Sequence, residues 1–135
     1  MDCPVCKSAM VTFELDKVEI DHCYACCGIW LDAGELELLL GDSKQSKELL
    51  SSFHINNKSV EKPRKCPICR KKMQKVFVGP KTSNLLIDKC RRGHGLWFDK
   101  GELQDILQMG NFDKDRKIQK LLSGIFSQTK PNINS

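Results

Sequence analysis

A small α+β fold, built in tandem as two modules of a β-hairpin plus a short helix, is what this 135-residue sequence predicts. Three observations lead there. Eight cysteines are present, and three pairs are separated by only two residues: Cys3 and Cys6, Cys23 and Cys26, Cys66 and Cys69. Corners of that kind hold metals more often than they form disulfides. A long motif occurs twice along the chain. Each half is too short to bury an adequate core unaided. The expected class is therefore small, metal-bound α+β.

The repeat places every element. Cys3-Pro4-Val5-Cys6 returns as Cys66-Pro67-Ile68-Cys69, and Met10 returns as Met73. Ile20-Asp21-His22-Cys23 returns as Ile87-Asp88-Lys89-Cys90. The pattern Gly-(Ile/Leu)-Trp-(Leu/Phe)-Asp-x-Gly-Glu-Leu fills residues 28–36 and 95–103. The offset between copies is 63 residues before the middle and 67 after it, so copy two carries four extra residues. They fall in the turn-like stretch 78–84. An even insertion at a hairpin tip keeps the faces of both strands unchanged.

Residues 11–14 and 18–21 are expected as the first hairpin, and 75–78 and 85–88 as the second. Asp32 and Asp99 each precede a glutamate, Glu35 and Glu102, by three residues. That is a capping-box signature, and helices are predicted over Glu35–Leu40 and Glu102–Met109. Gly41 and Gly110 stand where C-terminal caps belong. The predicted organisation is a first module at 1–42, a partly helical linker at 43–65 and a second module at 66–110. A C-terminal helix follows at 111–127, where Phe112, Ile118, Leu121, Leu122, Ile125 and Phe126 fall near helical spacing. The tail 128–135 is expected to be disordered. Within the linker, 43–53 is a helix candidate and 54–65 a polar connection.

A tetrahedral zinc takes four thiolate or imidazole ligands. A Cys-x-x-Cys turn offers two sulfurs from one corner, and a hairpin can bring up a second corner. Sixteen residues separate Cys6 from Cys23 and twenty separate Cys69 from Cys90, lengths suited to such a return. Copy one supplies Cys3, Cys6, Cys23 and Cys26. Cys27 competes for the fourth place, because gap-free alignment sets it against His94; the corner spacing favours Cys26. Copy two supplies Cys66, Cys69 and Cys90, with His94 as the fourth candidate. An iron centre of four thiolates would suit copy one, and a histidine ligand argues against it in copy two. His22 is expected at the surface. Trp30 and Trp97 are expected to pack over their own metal corner and against the helix that follows.

These residues resemble the transcription-factor-IIB-type zinc-finger family of small zinc ribbons. The resemblance rests on Cys-Pro-x-Cys, the second corner and the long tryptophan motif, over roughly residues 3–40 and 66–109. It implies zinc binding, two ions per chain, by Cys3, Cys6, Cys23 and Cys26 and by Cys66, Cys69 and Cys90. Gly93 stands where the family pattern has its fourth cysteine.

Charge is polarised. Residues 1–42 hold two basic and nine acidic residues, whereas 66–110 hold nine basic and four acidic. A nucleic-acid-associated or transcription-related binding module is the leading expectation, with nucleic acid or another anionic surface meeting the second ribbon. A protein-interaction adaptor using the acidic first ribbon is the alternative, and a thiol or zinc redox sensor the third. No catalytic residues are assigned. No apolar run suits a membrane span, and the start Met1-Asp2-Cys3-Pro4 lacks the form of a secretory signal, so a cytoplasmic, non-enzymatic protein is expected.

Overall fold

The first half of the tryptophan motif, to which no strand was assigned above, is a strand in both copies. In a computed structural model, residues 1–15, 17–41, 43–56, 63–79 and 85–109 are described. Copy one contributes β1 (Val11–Leu15), β2 (Val18–His22), β3 (Ile29–Asp32) and α1 (Glu35–Leu40). A connection follows with α2 (Lys44–Ser51) and β4 (His54–Ile55). Copy two contributes β5 (Gln74–Phe77), β6 (Leu86–Lys89), β7 (Gly95–Phe98) and α3 (Glu102–Met109).

The strands form one seven-stranded antiparallel sheet in the order β1-β2-β3-β7-β6-β5-β4. Its centre is the pairing of β3 with β7, where Trp30 faces Trp97, Leu31 faces Leu96 and Ile29 faces Phe98. Trp30 thus meets its own counterpart in the repeat, and exchanging the two copies turns the Ile29–Phe98 pair into the Leu31–Leu96 pair. This is the contact pattern of a two-fold interface, made within one chain.

The sheet has two different faces, as strand alternation requires. Ile29, Leu31, Phe98, Ile20 and Ile87 share one buried cluster with Leu36, Leu39 and Leu40 of α1, Leu49 of α2, and Leu103, Ile106 and Leu107 of α3. This is the apolar core, and the three helices close it. Trp30 and Trp97 belong to a second cluster with Cys3, Cys23, Cys66, Cys90 and Met73. The metal corners therefore lie with the tryptophans, away from the helix leucines.

A polar row crosses the tryptophan face. Thr12 pairs with Asp21, Asp21 with Trp30, Trp97 with Asp88 and Asp88 with Lys75. In copy one the Thr12 hydroxyl donates to the Asp21 carboxylate at 2.7 Å. In copy two Lys75 makes a 2.6 Å ion pair with Asp88, both buried. Burial raises the Asp88 carboxyl above its ordinary range, and Lys75 pulls against that rise.

Helix entry departs from the expected capping box. Glu35 accepts the Asp32 N–H at 2.6 Å and Glu102 accepts the Asp99 N–H at 2.7 Å, so half of each box forms. The aspartates do not cap. Asp32 accepts the Trp30 indole N–H at 2.8 Å, and Asp99 that of Trp97 at 3.1 Å. Gly34, in the left-handed region, is the N-cap of α1. A buried indole N–H needs an acceptor, and the aspartate two residues on is the nearest one. A full capping box occurs instead at α2, where Ser43 and Ser46 exchange backbone-to-hydroxyl bonds.

His22, expected at the surface, is buried at 0% exposure. Alternation along β2 points Val18, Ile20 and His22 to the same side, and the His22 ring lies 5.5 Å from Tyr24 and 6.1 Å from Phe13. Burial holds its imidazole below the ordinary value, with the Gly28 backbone opposing. The predicted connecting helix is present as α2. Part of the predicted polar connection, His54–Ile55, instead pairs with β5. The predicted helix at 111–127, the tail 128–135 and the cap at Gly110 lie outside the described residues. Among the described residues no helix is long and apolar enough to cross a membrane.

Candidate metal centres

Each metal corner is a small closed turn. The N–H of the leading cysteine bonds to the carbonyl five residues on: Cys3 to Ser8 at 2.7 Å, Cys23 to Gly28 at 3.0 Å, Cys66 to Lys71 at 2.9 Å and Cys90 to Gly95 at 3.1 Å. Three corners have a left-handed residue four places after that cysteine, namely Lys7, Cys27 and Arg70. Their N–H groups return to the leading carbonyl at 3.1, 2.9 and 2.8 Å. Backbone N–H groups also point at sulfur, from Val5 to Cys3 at 3.3 Å and from Ile68 to Cys66 at 3.4 Å.

The fourth corner is tighter by one residue. Its left-handed position is Gly93, three places after Cys90, and the Gly93 N–H bonds to the Cys90 carbonyl at 3.1 Å. The residue that follows is His94, whose Nδ1 lies 3.4 Å from Cys90 Sγ and 3.9 Å from Cys66 Sγ. The glycine that replaces a cysteine here thus permits a shorter turn, and the longer imidazole covers the difference.

Two groups of donor atoms result. The sulfurs of Cys3, Cys6, Cys23 and Cys26 lie within 4.8 Å of one another, as do the donor atoms of Cys66, Cys69, Cys90 and His94. Cys3 to Cys26 is 3.5 Å, Cys6 to Cys23 is 3.4 Å and Cys69 to Cys90 is 3.7 Å. Zinc–sulfur bonds of ~2.3 Å in a tetrahedron place sulfurs roughly 3.8 Å apart, so each group can hold one zinc ion. Cys27 stands outside the first group; its backbone supplies the left-handed position instead.

The thiols carry unequal proton affinities. Burial raises Cys3, Cys26 and Cys66, the last to about 11. Hydrogen bonds from Ser8 bring Cys6 down to about 6. At Cys90 burial opposes the backbone N–H groups of His94 and Arg92, and the thiol falls to about 7. A zinc ion at either centre displaces the protons that the raised thiols hold and screens the thiolates from one another.

The tryptophans tie the two centres together, and not in the expected way. A Cβ on Gly28 would lie 2.1 Å from Cζ2 of Trp97, and one on Gly95 would lie 2.7 Å from Cζ2 of Trp30. Each ring therefore rests on the glycine that follows the second corner of the other copy. The rings join the cysteine cluster instead of the helices because the pleat sends Trp30 and Trp97 to that face.

The transcription factor zinc-finger family matches residues 2–41 and again residues 65–109. The chain belongs to this family. It is a tandem zinc-ribbon protein, with two α+β copies that each carry one cluster of zinc-type donors. No curated protein and no solved structure matches the chain. Within this zinc-finger protein, sequence reasoning passed over Gly28 and Gly95 as the seats of the opposite rings. Two basic residues beside the second centre are not open surface charge: Arg64 pairs with Asp99 and Lys75 with Asp88. Alternation along β5 carried a signal for Lys75, which falls on the inward side two residues after Met73.

Proposed function

We propose that this zinc-ribbon protein is a nucleic-acid-associated binding module that makes contact through its second ribbon, without catalysis. The observation that supports the reading is the surface around the second metal centre. Lys65, Arg70, Lys71 and Lys72 on its first corner and Lys89, Arg91 and Arg92 on its second are all exposed. Residues 65–72 and 89–94 contain no acidic residue. Cations fixed to a metal-closed turn suit phosphate oxygens, which position a nucleic acid without reading its sequence. Four protein donors at each centre fill a tetrahedron, the arrangement of structural zinc.

Fluorescence anisotropy of labelled DNA and RNA against the zinc-loaded chain tests this. Affinity is expected to fall steeply with salt, with a log–log slope of roughly −0.7 to −0.9 for each phosphate contacted. A slope near zero, or no binding at low salt, would sink the reading.

A second reading has its own observation. Glu14 and Glu19 face each other across the β1–β2 hairpin, both exposed, beside the outer edge of the sheet. Like charges placed opposite destabilise a hairpin, and a basic protein partner would relieve them. A single co-purifying protein, retained after nuclease treatment and lost in Glu14→Lys, would favour this adaptor role.

A further inference from the structure

A cleft of about 520 Å³ lies between the leading corners of the two ribbons. Its walls come from equivalent positions in the repeat: Asp2 and Lys65, Pro4 and Pro67, Lys7 and Arg70. Each pair is 63 residues apart, so the cleft straddles the internal two-fold relation. Three cationic side chains, Lys7, Lys65 and Arg70, and the Asp2 carboxylate line it. Lys7 is one of only two basic residues in 1–42, so the acidic ribbon places half of its positive charge at this one seam.

We propose that this cleft seats the phosphodiester backbone of a single-stranded nucleic acid; the proposal rests on the nucleic-acid reading above. Lys7 and Arg70 hold their backbones in matching left-handed turns tied to Cys3 and Cys66, so two cations stand on opposite walls. A strand lying between them meets both.

Charge continuity favours a chain over an isolated phosphate. Lys65 faces Lys72 across a β-bridge, and Lys71 is exposed beside it, so cations lead out of the cleft along the second ribbon. Concavity favours a strand over a duplex, whose phosphates lie on a convex rod. An extended peptide would need main-chain partners to add as a strand. The N–H groups of Cys3, Lys7, Cys66 and Arg70 are already bonded within their corners. Trp30 and Trp97 are fully buried and no aromatic residue lines the cleft among the described residues, so binding there is through the backbone and indifferent to sequence.

The test compares two charge reversals in the first ribbon of the zinc-loaded full chain. Lys7→Glu alters the cleft; Lys17→Glu makes the same change of charge at an exposed turn outside it. Labelled oligothymidine is titrated at low salt, and zinc content is checked for each variant. Lys7→Glu is expected to weaken binding about tenfold or more and to flatten the salt slope, with Lys17→Glu within about twofold of the parent. Arg70→Glu should match Lys7→Glu. Equal losses for Lys7→Glu and Lys17→Glu would overturn the cleft while leaving the nucleic-acid reading in place. No binding by the parent chain would overturn both. Displacement of oligothymidine by inorganic phosphate at matched ionic strength, or more strongly by polyglutamate, would assign the cleft to a free anion or an acidic peptide and overturn the strand.

Discussion

Trp30 and Trp97 stand opposite each other at the centre of the sheet, and each ring rests on a glycine beside the other copy's metal corner. The two ribbons are joined at this pair. The backbone continues the union, since β3 and β7 exchange ladder bonds and the Ala33 N–H reaches the His94 carbonyl at 3.0 Å.

A methyl group at either glycine should push a buried indole out of place. Gly28→Ala puts carbon 2.1 Å from the Trp97 ring, and Gly95→Ala also meets the Leu31 carbonyl oxygen at 2.2 Å. Overpacking of this kind costs about 1–3 kcal/mol, and backbone contact makes Gly95→Ala the worse of the two. Urea denaturation of the zinc-loaded protein measures both; a change within about 0.5 kcal/mol would show that the rings are free to move aside.

Metal content distinguishes the donors. His94→Ala and Cys26→Ser should each reduce zinc from two ions per chain to near one, whereas Cys27→Ser should leave both, because Cys27 lies outside the four-sulfur group. Retention of two ions in His94→Ala would mean that the second site closes with another ligand.

Joined ribbons should not lose metal independently. Emptying the second centre with Cys69→Ser is expected to speed zinc transfer from the first to a chelator, since Trp97 and β7 support Gly28 and β3. Zinc supplies much of the folding free energy of domains this small. An unchanged rate at the first centre would mean that the sheet does not transmit the loss.

Lys75 and Asp88 form a buried pair with 9% and 2% side-chain exposure. Lys75→Met leaves the carboxylate without its partner, and breaking a buried pair in this way costs about 3–5 kcal/mol. Lys75→Thr restores the pairing that Thr12 makes with Asp21 in copy one and should cost less. Thermal unfolding at constant zinc compares the two; equal stability of Lys75→Met and the parent would count against the pair.

Proton competition should govern metal release. Burial raises Cys66 from its ordinary 9.0 to about 11, so at neutral pH that thiol holds its proton in the metal-free chain and must release it on zinc uptake. Zinc affinity is therefore expected to fall as pH falls. Titration in a weakly buffered solution reads the released protons, and uptake without acidification would contradict the raised thiols.

Local chemistry was legible from the chain alone. The four hairpin strands appear within a residue or two of their expected positions, and both helices coincide with the stretches opened by Glu35 and Glu102. Alternation, turn composition and ligand spacing are short-range properties that a repeat states twice. The tryptophan motif hid its strand because four residues buried on both faces, Ile-Trp-Leu-Asp and Gly-Leu-Trp-Phe, show no alternation of apolar and polar positions. His22 was misplaced because its repeat counterpart, Lys89, is exposed, whereas His22 itself is enclosed between Phe13 and Tyr24.

By itself, then, the sequence determined two copies of a hairpin and helix, and the spacing that brings four donors to each centre. The tertiary structure alone decided that β3 pairs with β7, that each indole crosses to the other copy's glycine and that Lys7 faces Arg70 over a shared cleft. Those contacts join residues some 60 or more apart in the chain, and pairing at that distance is selected by burial and packing across the whole sheet, which no local pattern encodes.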